Sequence, residues 1–243
     1  MKTILYILLF IQLFSWNIDT KKTSKITPQK IEILLPSTYR DWENENPTNK
    51  LNKNWFDLNK KDSTYYLNTA NYLIEKGIDD CTGLSTKTII SKNNTLIYIK
   101  NTNLNIGEVF SINFTKDKIW PNEKISFNYK NIKYTIRAEG DIISSEQVIT
   151  NKGLERYSVV KNYKLYISTN KNLESLFLEE KSFNDTFVKL LFVGDIDSDG
   201  KLDFIFEANR DYEEKRVILY LSSEAEKGAI IKKVDEIAIQ FDC

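Results

Sequence analysis

Between residues 125 and 138 apolar and polar side chains alternate with a period of two, on both sides of a two-residue break. Ile125, Phe127 and Tyr129 alternate with Ser126 and Asn128, and Ile132, Tyr134 and Ile136 alternate with Lys133 and Thr135. A period of two belongs to a half-buried strand, whereas a helix would repeat every 3.6 residues. A turn at Lys130-Asn131 pairs Tyr129 with Ile132, Phe127 with Tyr134 and Ile125 with Ile136, which puts all six apolar side chains on one face. Asn at the turn tolerates the positive φ that a tight hairpin needs. The segment reads as a hairpin with one buried face and one wet face.

The rest of the chain repeats this character in short pieces. Residues 30–35 form an apolar run closed by Pro36, and residues 37–54, rich in Asn, Glu, Lys and Pro, read as an irregular connection. Strand-length runs follow at 64–75, 87–90, 95–100 and 108–114. Downstream, Tyr163, Leu165 and Ile167 alternate with polar neighbours. Residues 173–180 lean towards strand, and further runs occupy 188–193, 204–208, 217–221 and 230–241. No long repeat is visible. The expected fold is mainly β with little helix: antiparallel sheets arranged as a sandwich or an open, barrel-like structure.

The amino terminus is of a different kind. Met1-Lys2 is a short basic start, residues 4–14 are apolar apart from Gln12, and polar sequence follows. That run is too short to span a bilayer and fits a secretory signal, so residues 1–15 are expected to be a signal peptide and no membrane span is expected after its removal. Residues 16–29, rich in Lys and Thr, read as a linker. Residues 30–243 are expected to form a single β-rich domain, with an N-terminal subdomain over 30–80 as the alternative. The destination would be outside the cell or in the periplasm or cell envelope.

Two cysteines, Cys81 and Cys243, are present. In an exported chain they are expected to pair, stapling the tail to the loop around Cys81. Lys+Arg and Asp+Glu both number 34, so the net charge is zero, which argues against nucleic acid as a partner. The chain has no histidine, which removes Ser-His-Asp triads, Cys-His dyads and His-ligated zinc.

Residues 195–203 read Asp-Ile-Asp-Ser-Asp-Gly-Lys-Leu-Asp. Alternate carboxylates with a turn glycine can wrap oxygens around a hard cation. Brought together without one, they would repel each other. Asp195, Asp197 and Asp199 are expected to supply side-chain oxygens and Lys201 a backbone carbonyl, with its amine in water. Asp203 would bind directly or through a water, and Gly200 permits the reversal. An all-oxygen shell of this size on a flexible loop favours Ca2+ over zinc or magnesium. An EF-hand would carry Glu at its twelfth position, where this chain has Phe206, and the flanks lack helical periodicity. The site is therefore expected to be a β-loop-β calcium hairpin, with Leu202 pointing into the core.

Residues 193–205, Val-Gly-Asp-Ile-Asp-Ser-Asp-Gly-Lys-Leu-Asp-Phe-Ile, resemble the calcium loop of FG-GAP and VCBS-type repeats, as in integrin-α-like β-propellers. The resemblance implies a loop joining two strands of a blade, with calcium on Asp195, Asp197, Asp199, Asp203 and the Lys201 carbonyl. Such propellers need several blades, and this chain holds one loop. The tail, with Tyr220-Leu221-Ser222-Ser223-Glu224-Ala225 and a terminal cysteine, is similar to uncharacterised secreted proteins of Bacteroidetes-type bacteria.

Other patterns say less. Ser158-x-x-Lys161 and Ser168-x-x-Lys171 match a catalytic Ser-x-x-Lys spacing but lie in strand-like or turn sequence without partner motifs. Glu207, Asp211, Glu213 and Glu214 read as a solvated hairpin tip, or as one half of a glycosidase carboxylate pair. Trp42, Trp55 and Trp120 are core candidates or sugar-stacking platforms. The expected role is a binding or scaffolding one, with structural calcium and a protein or glycan ligand of the envelope. The alternative is an exported glycan-acting hydrolase or carbohydrate-binding module supported by the ion.

Overall fold

The computed structural model describes residues 30–42, 45–150, 153–172 and 174–243. The expected signal peptide and linker, and Leu173 at the head of the expected 173–180 strand, lie outside the described residues. In chain order the strands are β1 (Glu32–Leu34), β2 (Thr38–Arg40), β3 (Phe56–Lys61), β4 (Thr64–Thr69), β5 (Tyr72–Ile78), β6 (Ser85–Ser91), β7 (Thr95–Lys100) and β8 (Gly107–Ser111). There follow β9 (Lys124–Tyr129), β10 (Ile132–Thr150), β11 (Gly153–Thr169), β12 (Ser175–Ser182), β13 (Lys189–Asp195), β14 (Asp203–Glu207), β15 (Glu214–Leu221) and β16 (Lys232–Gln240). Among the described residues the only helix is a 3-10 turn, Pro47–Lys50. The fold is mainly β, as expected.

Nine strands make one antiparallel sheet in the order β1-β7-β3-β4-β8-β13-β14-β15-β16. Its two ends meet: the N–H of Ile33 on β1 donates to the Asp235 carboxylate on β16 over 2.8 Å, so the sheet is nearly closed into a barrel. A four-stranded sheet, β12-β11-β10-β9, and a three-stranded sheet, β2-β6-β5, complete the fold. Every pairing between these strands is antiparallel.

Two hydrophobic cores share β13, β14 and β15. The inside of the barrel holds Leu58, Leu67, Ile97, Ile99, Phe192, Ile205, Val217 and Leu219. Between the barrel wall and the four-stranded sheet lie Phe127, Tyr134, Ile136, Leu165, Phe177, Phe204, Phe206 and Tyr220. Phe204 and Phe206 thus face one core while Ile205 faces the other, and Ile218 and Tyr220 oppose Val217 and Leu219 in the same way. Burial on both faces explains why 204–206 and 217–221 read as continuous apolar runs and not as alternations.

The hairpin expected at 125–138 forms with the expected register: Tyr129 pairs with Ile132, Phe127 with Tyr134 and Ile125 with Ile136. Lys130 and Asn131 both take positive φ, 44° and 63°, the backbone of a tight two-residue turn. Phe127, Tyr134 and Ile136 are buried, and Ile125, Tyr129 and Ile132 pack against the same core.

Two expectations are corrected. The run at 64–75 is two strands, because the chain leaves the nine-stranded sheet after Thr69 and enters the small sheet at Tyr72. At the crossing the Ala70 N–H donates to the Trp55 carbonyl at 2.9 Å. The described residues of 37–54 are more regular than the composition of that stretch suggests. β2 pairs with β6 across about 50 residues of chain (Thr38 with Thr88), a long-range pairing that local pattern does not reveal. Asn46 caps the 3-10 turn by accepting from the Thr48 N–H at 3.0 Å.

Candidate metal centre

β13 and β14 are joined by the acidic loop, so the loop is a β-loop-β hairpin in the wall of the barrel. Asp195 closes β13 and Asp203 opens β14. Asp195, Asp197 and Asp203 each present a carboxylate oxygen, and the three oxygens lie within 4.8 Å of one another. Leu202 is fully buried in the core under the four-stranded sheet, which ties the loop to the body of the protein.

The two oxygens of Asp195 live in different surroundings. Oδ2 accepts from the Tyr129 hydroxyl at 2.8 Å and from the Gly200 N–H at 3.1 Å, and the Lys130 amine stands 3.7 Å away. Oδ1 is buried and meets no hydrogen-bond donor. Asp195 as a whole is only 5% exposed. A buried carboxylate oxygen without a partner costs on the order of 1–3 kcal/mol, and an ion held against the neighbouring oxygens of Asp197 and Asp203 would remove that cost.

Asp203 is fully buried and braces the loop. Its Oδ2 accepts from the Ile196 N–H at 2.7 Å, and its Oδ1 accepts from the Ser222 N–H at 2.8 Å. Burial pushes its pKa well above the ordinary carboxylate value, and the charges of Asp197 and Asp199 push the same way. Burial also raises Asp197, against the lowering effect of its bond from the Ser223 hydroxyl, with Asp199 and Asp195 adding repulsion. Charge in the loop is thus held together against its own repulsion, a conflict that a divalent cation relieves.

Asp199 stands beside the trio. One of its oxygens accepts from the Lys201 N–H at 2.8 Å and the other from the Ser222 hydroxyl at 2.9 Å. The Lys201 amine, expected in open water, lies 3.6 Å from Asp199 and is about half exposed. Gly200 has φ +86°, and a Cβ there would meet only the flexible end of Lys130, at 3.4 Å. Gly194 is confined by space: a Cβ would fall 2.2 Å from the Phe110 carbonyl oxygen of β8 and 2.4 Å from the Phe192 ring.

Four residues that attend this site were not assigned to it from sequence: Tyr129, Lys130, Ser222 and Ser223. Tyr129 and Lys130 sit at the turn of the 125–138 hairpin, a position legible in sequence, but the destination of that turn depends on sheet packing. Ser222 and Ser223 follow β15 and carry no local signal. Phe110 stacks on Tyr129 with ring centroids 4.3 Å apart, and Lys130 lies over the same ring at 4.9 Å, so an aromatic-cationic cap flanks the acids.

The other sequence candidates scatter. Trp55 and Trp120 are buried, at 1% and 5% exposure, whereas Trp42 is 61% exposed. Ser158 and Ser168 lie in the extended strand β11, where Ser and Lys three apart do not share a helical face. Glu214 is buried in a pair with Arg210, so the tip at 207–214 is not uniformly solvated. Glu207 pairs with Lys189 at 2.7 Å, and Asp211 accepts from Asn184 at 2.6 Å. Cys81 and Cys243 form a disulfide with Cα atoms 5.0 Å apart. No helix among the described residues is long and apolar enough to cross a membrane. Compared with known proteins, the chain matches no family model, no curated protein and no solved structure.

Proposed function

We propose that this chain is an exported β protein whose 195–203 loop binds calcium as part of its structure, and that its role is binding or scaffolding. The observation that carries this reading is the unpartnered, buried Oδ1 of Asp195 beside the oxygens of Asp197 and Asp203. Asp195, Asp197 and Asp203 would hold the ion, with Asp199 and the Lys201 carbonyl as the further ligands that the FG-GAP and VCBS-type resemblance implies. The ion would supply charge neutralisation and a rigid loop between β13 and β14. An all-oxygen donor set suits calcium or magnesium, and an irregular loop of carboxylates suits the larger ion. The disulfide fits an oxidising compartment, where extracellular calcium sites fill at about 0.1–1 mM.

The test is a thermal melt of the protein in calcium, magnesium or chelator. At 100 times its dissociation constant calcium should stabilise by about 2.7 kcal/mol, and magnesium by much less. Asp195→Asn should remove the shift. A melting temperature indifferent to millimolar calcium would end this reading.

A further inference from the structure

Away from the acidic loop, a groove of about 570 Å³ opens beside the 3-10 turn, lined by Arg40, Trp42, Glu45, Asn46, Pro47, Asn49 and Lys50. A single exposed aromatic residue is ordinary on a protein surface. This one stands in a groove of mixed lining, where Pro47 adds apolar surface and Glu45 and Asn49 add polar groups. The backbones of Trp42 and Glu45 bond to each other in both directions, at 3.2 and 2.7 Å, which fixes the main chain from which the indole projects. The wall behind it is rigid: Asn46 is 4% exposed and donates to the Tyr39 carbonyl at 3.1 Å and to Asp41 at 2.6 Å. The Asn49 carbonyl oxygen accepts from the Lys87 amine at 2.6 Å, which leaves its NH2 group to donate.

The charges in the groove are largely spoken for. Arg40 pairs with Asp79 at 3.1 Å and Asp242 at 3.3 Å, and Lys50 with Glu32 at 3.3 Å. What remains on offer is the flat apolar face of Trp42 with Pro47 nearby, together with the Asn49 amide and the Glu45 carboxylate. That combination matches a ligand with an apolar C–H face and hydroxyls around its rim. A groove for proline-rich peptide would instead be lined by several aromatic rings. The volume lies in the range of small-molecule sites.

We propose that this groove binds a neutral glycan, with one pyranose ring stacked on Trp42 and its hydroxyls bonded by Asn49 and Glu45. The site is separate from the acidic loop and does not rest on calcium. It supplies a ligand class for the binding role proposed above.

Calorimetric titration with maltohexaose, cellohexaose, laminarihexaose, xylohexaose and chitohexaose, and with a proline decamer, decides it. Each titration is run in calcium and again in chelator. At least one hexasaccharide should bind in both conditions. Trp42→Ala should weaken that binding roughly tenfold or more while Trp42→Phe retains most of it, as expected for loss of a ring face and not of the fold. Asn49→Ala should weaken it several-fold. An unchanged melting temperature for Trp42→Ala confirms that the fold is intact. Silence from all five sugars, binding only by the proline decamer, or sugar binding that survives Trp42→Ala would each overturn the proposal. Failure of calcium to bind would leave it standing.

Discussion

The hydroxyl of Tyr129 donates to Oδ2 of Asp195 over 2.8 Å, across 66 residues of sequence. The tip of the β9–β10 hairpin is thereby latched onto the acidic loop of the β13–β14 hairpin. Tyr129→Phe keeps the ring stacked on Phe110 and removes only the donor. Unfolding in denaturant with chelator present should show a loss of about 1 kcal/mol, the usual worth of one such bond. An unchanged stability would mean that the latch is not formed in solution.

Asp197 makes a prediction that changes sign with calcium. Burial raises its folded pKa above the ordinary carboxylate value. A group raised in this way favours the fold below its unfolded pKa, and that contribution is lost as pH rises through the folded pKa. In chelator, Asp197→Asn should therefore melt higher than the parent at pH 7, with the difference shrinking towards pH 4. In calcium the order should reverse, because the variant has lost a ligand. Parallel melting profiles across pH for the two proteins would contradict this account.

Gly194 precedes the loop and Gly200 lies within it, and the two tolerate a methyl group differently. Gly194→Ala drives a Cβ to 2.2 Å from the Phe110 carbonyl oxygen, a backbone atom with no freedom to retreat. It should cost about 3 kcal/mol or more by forcing β8 from β13. Gly200→Ala meets only the Lys130 side chain, and its cost, about 1 kcal/mol, comes from the positive φ. Equilibrium unfolding of the two variants should separate them, and equal losses would refute the packing argument.

The disulfide closes a long loop, with Cys81 and Cys243 separated by 162 positions in sequence. Arg40 already holds the same two segments together through Asp79 at 3.1 Å and the Asp242 carbonyl at 2.6 Å. In the chain-entropy account, loss of a cross-link of this length lowers stability by up to about 5 kcal/mol. A double Cys81→Ser, Cys243→Ser variant should melt well below the oxidised parent, and the parent should fall to the same value in reductant. A melting temperature insensitive to reductant would show that the staple carries no load.

Much of this protein is legible in the sequence because it is local. Alternation at 125–138 and one turn carrying Asn131 determined a hairpin and its register, since a slip of one strand by one residue would turn its three apolar side chains to water. Alternate aspartates around Gly200 marked a cluster of acids on a loop between two strands, and two cysteines marked a staple. The tertiary structure decided everything that depends on distant partners. Sheet order, the near closure of β1 on β16 and the division of 64–75 between two sheets arise from hydrogen bonds between strands far apart in the chain, which leave no local periodicity. The same holds at the acidic loop. That Tyr129 and Lys130 attend the carboxylates follows from packing one sheet on another, and that Ser222 and Ser223 do so follows from the pairing of β15 with β14. The tertiary fold also buries Trp55 inside the barrel and Trp120 between the sheets and leaves Trp42 at the surface, because residue type sets an affinity for the core while topology sets who reaches it.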